Sequence, residues 1–183
     1  MFSVEKTPIE GLLIVVPKIF EDDRGYFFES YHIQKFCEME INTDFVQDNE
    51  SFSTYGTIRG LHFQKAPFEQ AKLVRVLMGE VYDVAVDLRP LSKTFGQSFG
   101  TILSETNKKQ LFIPRGFAHG FSVLSRSAQF SYKCDNYYSR ESEDGIRFDD
   151  SDLEIEWRIP NDATNVSEKD LQLGTLDDYK RQL

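Results

Sequence analysis

Short runs of apolar or alternating residues recur along the chain: Leu12 to Val16, Tyr26 to Tyr31, Ile58 to Gln64, Lys72 to Leu77, Val81 to Leu88, Gln97 to Leu103, Gln110 to Ile113, Gly120 to Leu124, Gln129 to Cys134 and Leu153 to Trp157. Each has the length of a strand, and turn chemistry separates them, as in Asp22-Asp23-Arg24-Gly25, Met78-Gly79-Glu80 and Pro114-Arg115-Gly116. Helical signals are confined to two turns over Ile33 to Met39 and short amphipathic pieces after Ser167. The spacing predicts a mainly β fold, a sandwich or barrel with a few short helices, in one domain over residues 1–183. The charge-rich stretch from Ser139 to Asp152 reads as an exposed excursion.

Period-two parity places charged side chains on faces that burial should make costly. His62 shares a face with Gly60 and Gln64. Lys72 shares one with Val74 and Val76, where an ammonium needs a partner or a purpose. Arg59 has the opposite parity to His62, so it either sits at a strand end or serves a different pocket, which could be a neighbouring subunit's.

Composition narrows the partners. A net charge of −9 disfavours nucleic acid and anionic membrane, both of which need a concentrated basic surface. A few converging Arg and Lys can still hold a small anion. Cys37 and Cys134 suit neither a disulfide framework nor a zinc ribbon, and no spanning helix or signal peptide is visible, so a cytoplasmic protein with reduced thiols is expected.

Candidate chemistry rests on few residues. His62 and His119 each lie in a strand flanked by Gly and aromatics, but neither belongs to a His-x-His pair, since Gln64 stands two residues after His62. Metal is therefore not expected. No nucleophile elbow and no phosphate-cradling glycine loop is present. What remains is a proton-transfer set: His62 as a base, Tyr132 as an acid, and Lys72 as an enolate partner, a preorganised donor of that kind contributing roughly 3 to 4 kcal/mol.

The segments VQDNESFS, IRGLHFQ, KLVRVLMGEVYDVAVDLR, TFGQ, LSETNKKQLFIPRGFAHGF, YKCDNYYS and VSEKD occur in order. Together they closely resemble the dTDP-4-dehydrorhamnose 3,5-epimerase family over nearly the whole chain, from DDRGYFFES to Asp170. The resemblance implies a cupin-like jelly roll, a metal-free and cofactor-free homodimer, and inversion at C3 and C5 of dTDP-4-dehydro-6-deoxy-D-glucose for cell-surface polysaccharide. It makes His62 the base, oriented by Asp170, and Tyr132 the acid.

For substrate binding it implies Arg24, Glu29, Gln47, Asp48, Asn49, Arg59, Lys72, His119, Glu143 and Lys169, with Tyr138 stacked on thymine. Arg24, Arg59 and Lys169 suit a diphosphate as charge-assisted donors. The chain departs from the family pattern at RFDDSDL, where Phe148 and Ser151 replace Trp and Pro, and in its tail after Asp170. A relative inverting only C3 or only C5 would use the same base and acid. A non-catalytic sugar-nucleotide binder and a metal-dependent oxygenase are the rivals from other classes.

Overall fold

The computed structural model describes residues 2–183. In chain order its elements are β1 (Phe2–Lys6), β2 (Leu13–Pro17), β3 (Phe20–Asp22), β4 (Gly25–Phe27), α1 (Ile33–Glu38), β5 (Gln47–Thr54), β6 (Ile58–Gln64) and β7 (Lys72–Met78). They continue with β8 (Glu80–Asp87), β9 (Ser98–Ser104), β10 (Gln110–Ile113), β11 (Phe117–Val123), β12 (Ser127–Cys134), β13 (Glu143–Gly145), α2 (Glu168–Leu171) and α3 (Leu176–Lys180). A six-stranded sheet, ordered β1-β2-β10-β7-β12-β5, packs on a five-stranded sheet, ordered β13-β6-β11-β8-β9, while β3 and β4 form a separate hairpin. This is the expected sandwich.

Apolar side chains from both sheets fill the space between them: Val74, Val76, Leu111 and Phe130 from one side, Val81, Ala85, Phe121 and Val123 from the other. Phe121 and Phe130 stack with centroids 4.3 Å apart. The five-stranded sheet is also covered on its outer face, where Ile58, Leu61, Val84 and Val86 meet Ile146, Leu153, Trp157 and Leu176 from the C-terminal third. Burial on both faces is why β8 and β11 read as near-continuous apolar runs rather than alternating ones. The outer face of the six-stranded sheet is partly covered by α1, whose Phe36 packs with Val15, Leu73 and Phe112.

Several expectations need correction. Leu153 to Trp157 is not a strand. It is turn and irregular chain lying on the sheet, with Glu154 at φ +46°, and it buries Leu153 and Trp157; period-two burial does not distinguish that from a ladder. Of Tyr26 to Tyr31, only Tyr26 and Phe27 are strand, and they are exposed.

The stretch 139–152 is not simply an exposed excursion. Glu143–Gly145 adds β13 to the edge of β6, Ile146 is fully buried, and Asp150 is buried because its carboxylate accepts the backbone N–H groups of Asp152, Leu153 and Leu176. β1 and β5 went unrecognised because FSVEK and QDNESFST carry too few apolar positions to set a period.

Asp87 ends β8 fully buried. It accepts hydrogen bonds from the Arg89 side chain at 2.8 and 2.7 Å, from the Arg89 backbone N–H at 3.0 Å, and from the Ser92 and Thr94 hydroxyls at 2.6 and 2.7 Å. Burial pushes its pKa up, but these donors outweigh burial and hold it at about 2, against an ordinary 3.8. A carboxyl depressed in the folded state stabilises above its unfolded pKa, and that contribution disappears as pH falls through the folded value. Asp87→Asn should therefore cost about 2 kcal/mol at neutral pH. In urea denaturation the difference from the parent should shrink between about pH 4 and pH 2; an equal difference at both ends would rule out the charge as its origin.

Candidate active site

The site lies at one open end of the sandwich, between β6 of one sheet and β7, β12 and β5 of the other. A cavity of about 270 Å³ is lined by Gln47, Asn49, His62, Gln64, Lys72, Tyr132, Tyr138 and Glu143, among others. A second, of about 540 Å³, is lined by Ser53, Arg59, His62, Glu143, Lys169 and Asp170, among others. His62 and Glu143 border both, so the two form one bilobed cleft.

A bulge in β6 builds this cleft. In the ladder with β11, His119 pairs with His62 and Phe121 pairs with Arg59. Two steps on β11 thus match three on β6, and the extra residue reverses parity between Arg59 and His62. Both side chains face the cleft, which corrects the expectation that parity would separate them. Gly60 sits at the bulge with φ +116°, and a Cβ there would fall 2.6 Å from Gly120 Cα and from the His119 carbonyl. Only glycine fits that approach.

The bulge also helps hold His62. Asp170, buried on α2 beneath its Ser167 cap, contacts His62 Nε2 through Oδ1 at 2.8 Å and accepts the Gly60 N–H through Oδ2 at 3.3 Å. Burial raises the Asp170 pKa, but His62, the Gly60 N–H and Ser167 together bring it below the ordinary value. An ionised Asp170 accepts the Nε2–H, which leaves the Nδ1 lone pair of His62 to take a proton.

Tyr132 stands on the opposite wall, on β12. Burial, helped by Cys134 and Glu143 and opposed by Arg59, pushes its phenol pKa up, keeping it protonated. Lys72 at the start of β7 has its Nζ 6.0 Å from the Tyr132 ring centroid. Burial lowers its pKa, against the pull of Cys134, Asp83 and Glu143.

The binding candidates divide. Arg59 is held by Ser53, Nε to Oγ 2.9 Å. Lys169 pairs with Glu143 at 2.5 Å, and the Tyr138 hydroxyl donates to the same carboxylate at 2.7 Å. Gln47 and Asn49 face the cleft from β5, but Asp48 between them points outward to Lys133 at 2.8 Å. A separate depression of about 290 Å³, lined by Asp48, Arg75, Tyr132 and Lys133 among others, opens on that outer face.

His119 is buried behind the cleft, against Phe130 and within 3.0 Å of buried Asp83. Arg24, in the β3–β4 turn, is exposed and paired with Asp22, and Glu29 pairs with Lys35; neither lines the cleft of its own chain. Sequence reasoning missed Ser53, Asp83, Gln64 and Gln70. Polar residues in strands that otherwise bury apolar groups were the available signal for Asp83 and Gln64; Ser53 lies in a strand with too few apolar positions to give one.

A family model described as dTDP-4-dehydrorhamnose 3,5-epimerase matches residues 6–178. The dTDP-4-dehydrorhamnose 3,5-epimerase of Salmonella typhimurium is 51% identical over 178 residues, covering 97% of each chain. The crystal structure of the enzyme of that name from Elizabethkingia anophelis superposes with a TM-score of 0.93 at 53% identity, over 97% of each chain. The dTDP-6-deoxy-D-glucose-3,5-epimerase of Legionella pneumophila, solved with dTDP-4-keto-L-rhamnose, superposes with a TM-score of 0.93 at 48% identity, over 97% of this chain and 94% of its own.

Proposed function

The chain belongs to the dTDP-4-dehydrorhamnose 3,5-epimerase family, and from that premise we propose how its residues divide the work of inverting C3 and C5 of dTDP-4-dehydro-6-deoxy-D-glucose. The observation that carries the assignment is the opposition of His62, tied to Asp170, and Tyr132 across one cavity with Lys72 beside them. The C4 ketone acidifies the hydrogens at its neighbours, C3 and C5. His62 Nδ1 takes such a proton, the C–H electron pair moves into a C=C bond, and the carbonyl π pair moves onto O4. Lys72 stabilises that enolate oxygen. Collapse of the enolate with delivery of the Tyr132 hydroxyl proton to the opposite face inverts the centre; His62 then gives its proton to solvent, the Tyr132 phenolate takes one up, and the sequence repeats at the second carbon. No step calls on a cofactor or metal.

Arg59 and Lys169 in the other lobe bind the diphosphate, and Tyr138 stacks on the base, exchanging its bond to Glu143 for ligand contacts. The unit is a homodimer, in which the β3–β4 hairpin carries Arg24 toward a partner's cleft. Supporting this, Phe20, Tyr26 and Phe27 are exposed on the hairpin and Arg24 reaches nothing in its own chain's cleft. No helix among the described residues is long and apolar enough to cross a membrane, consistent with work on a cytoplasmic sugar nucleotide.

Proton NMR of the 4-keto sugar nucleotide with the protein in heavy water tests the reading. Deuterium should appear at both C3 and C5, with the L-rhamno product trapped by a reductase. Exchange at one carbon alone would replace the double epimerase with a single-centre one, and binding without exchange would remove catalysis.

A further inference from the structure

The loop over residues 135–142 leaves β12 and carries Tyr138 over the smaller lobe. Irregular chain has no ladder to satisfy its backbone groups, so each must find another partner. Here three glutamines from three separate segments meet three consecutive parts of the loop. Gln70, in the β6–β7 connection, donates from Nε2 to the Asn136 carbonyl at 2.7 Å. Gln47, opening β5, accepts the Tyr138 N–H through Oε1 at 3.0 Å, and Gln64, closing β6, accepts the Ser139 N–H through Oε1 at 2.9 Å.

All three line the cavity that holds His62, Lys72 and Tyr132, yet each spends amide hydrogen-bonding capacity on the loop. Gln47 has both ends of its amide engaged, since its Nε2 also donates to Asn49 Oδ1 at 3.1 Å. That arrangement differs from the direct substrate contact the family resemblance implies for Gln47.

We infer that Gln47, Gln64 and Gln70 are positioning residues that hold the Tyr138 loop in place before substrate arrives, so that the nucleotide base meets a preset aromatic face. The inference rests on the proposed stacking of Tyr138 on the base. Its physical gain is preorganisation: a loop already ordered pays less entropy on binding. Direction of donation makes the set testable, because an acceptor is needed at positions 47 and 64 and a donor at position 70.

The test uses the full-length protein with Gln64→Leu, Gln70→Leu, Gln70→Glu, Tyr138→Ala and the double variant Gln64→Leu/Tyr138→Ala. Amide hydrogen exchange over 135–142 and the Kd for dTDP are measured together. Exchange at the Tyr138 and Ser139 amides should rise about tenfold in Gln64→Leu and Gln70→Leu while β12 stays protected, and Kd should rise about tenfold. Gln70→Glu should match Gln70→Leu, since a carboxylate cannot donate to the Asn136 carbonyl. In the Tyr138→Ala background, Gln64→Leu should add no further loss of affinity.

Unchanged loop exchange, or full additivity of the two losses, would overturn the inference. If Tyr138→Ala leaves Kd unchanged while the glutamine variants still loosen the loop, base stacking fails and the anchoring stands. Should buried Gln64 not tolerate leucine, the half-buried Gln70 pair decides the matter alone.

Discussion

His62→Ala is expected to lower turnover by between about 10² and 10⁴-fold, the usual contribution of a positioned general base, while leaving the affinity for dTDP within about twofold. The split follows from where His62 stands. It borders both lobes, but the cationic side chains that suit a diphosphate, Arg59 and Lys169, are held by Ser53 and Glu143 rather than by the imidazole. Calorimetry with dTDP beside steady-state turnover measures the two effects separately. Parallel loss of binding would show that the imidazole is structural, linking Asp170 to the bulged strand, and the base would have to be sought elsewhere.

Tyr132→Phe separates the two halves of the reaction. Phenylalanine keeps the ring beside Phe130, whose centroid is 6.1 Å away, and removes only the hydroxyl. His62 can still take a proton, exchange it with solvent and return a deuteron to the face it came from. The expected result in heavy water is deuterium at C3 or C5 of unchanged configuration, with formation of inverted product reduced by between about 10² and 10⁴-fold. Inversion at the parent rate would exclude Tyr132 as the acid. Loss of exchange along with inversion would mean that the phenol is needed to form the enolate, and Lys72 could not then be its sufficient partner.

How legible the fold was depended on what each strand faces. Strands such as β7, β8, β10 and β12 announce themselves because at least one face is apolar. β5 was invisible because its inward residues, Gln47, Asn49, Ser51 and Ser53, face the cleft or the polar end of the interior, so the strand that builds a wall of the site reads as a loop. Leu153 to Trp157 misled in the opposite direction, showing alternation without a neighbour to pair with.

Tyr132, His62 and Lys72, the residues proposed as acid, base and enolate partner, were singled out by residue type and flanking pattern. The bulge at Gly60 was not, since a parity argument assumes an unbroken register, and one extra residue cancels it. Arg24 and Glu29 matched a pattern that does not say which chain's cleft they serve.

That bulge turns a strand into a ruler. Arg59 and His62 are three residues apart on continuous backbone, so the separation of their Cα atoms cannot exceed roughly 10 Å, and the ladders to β11 and β13 on either side prevent it from drifting. On the proposed assignment of the Arg59 guanidinium to the diphosphate, the strand sets how far along the substrate the imidazole stands from that group. On that assignment the main chain would select by length: a sugar set farther from its phosphates by an added link would carry its acidic carbons past His62, however well its hydroxyl groups were recognised.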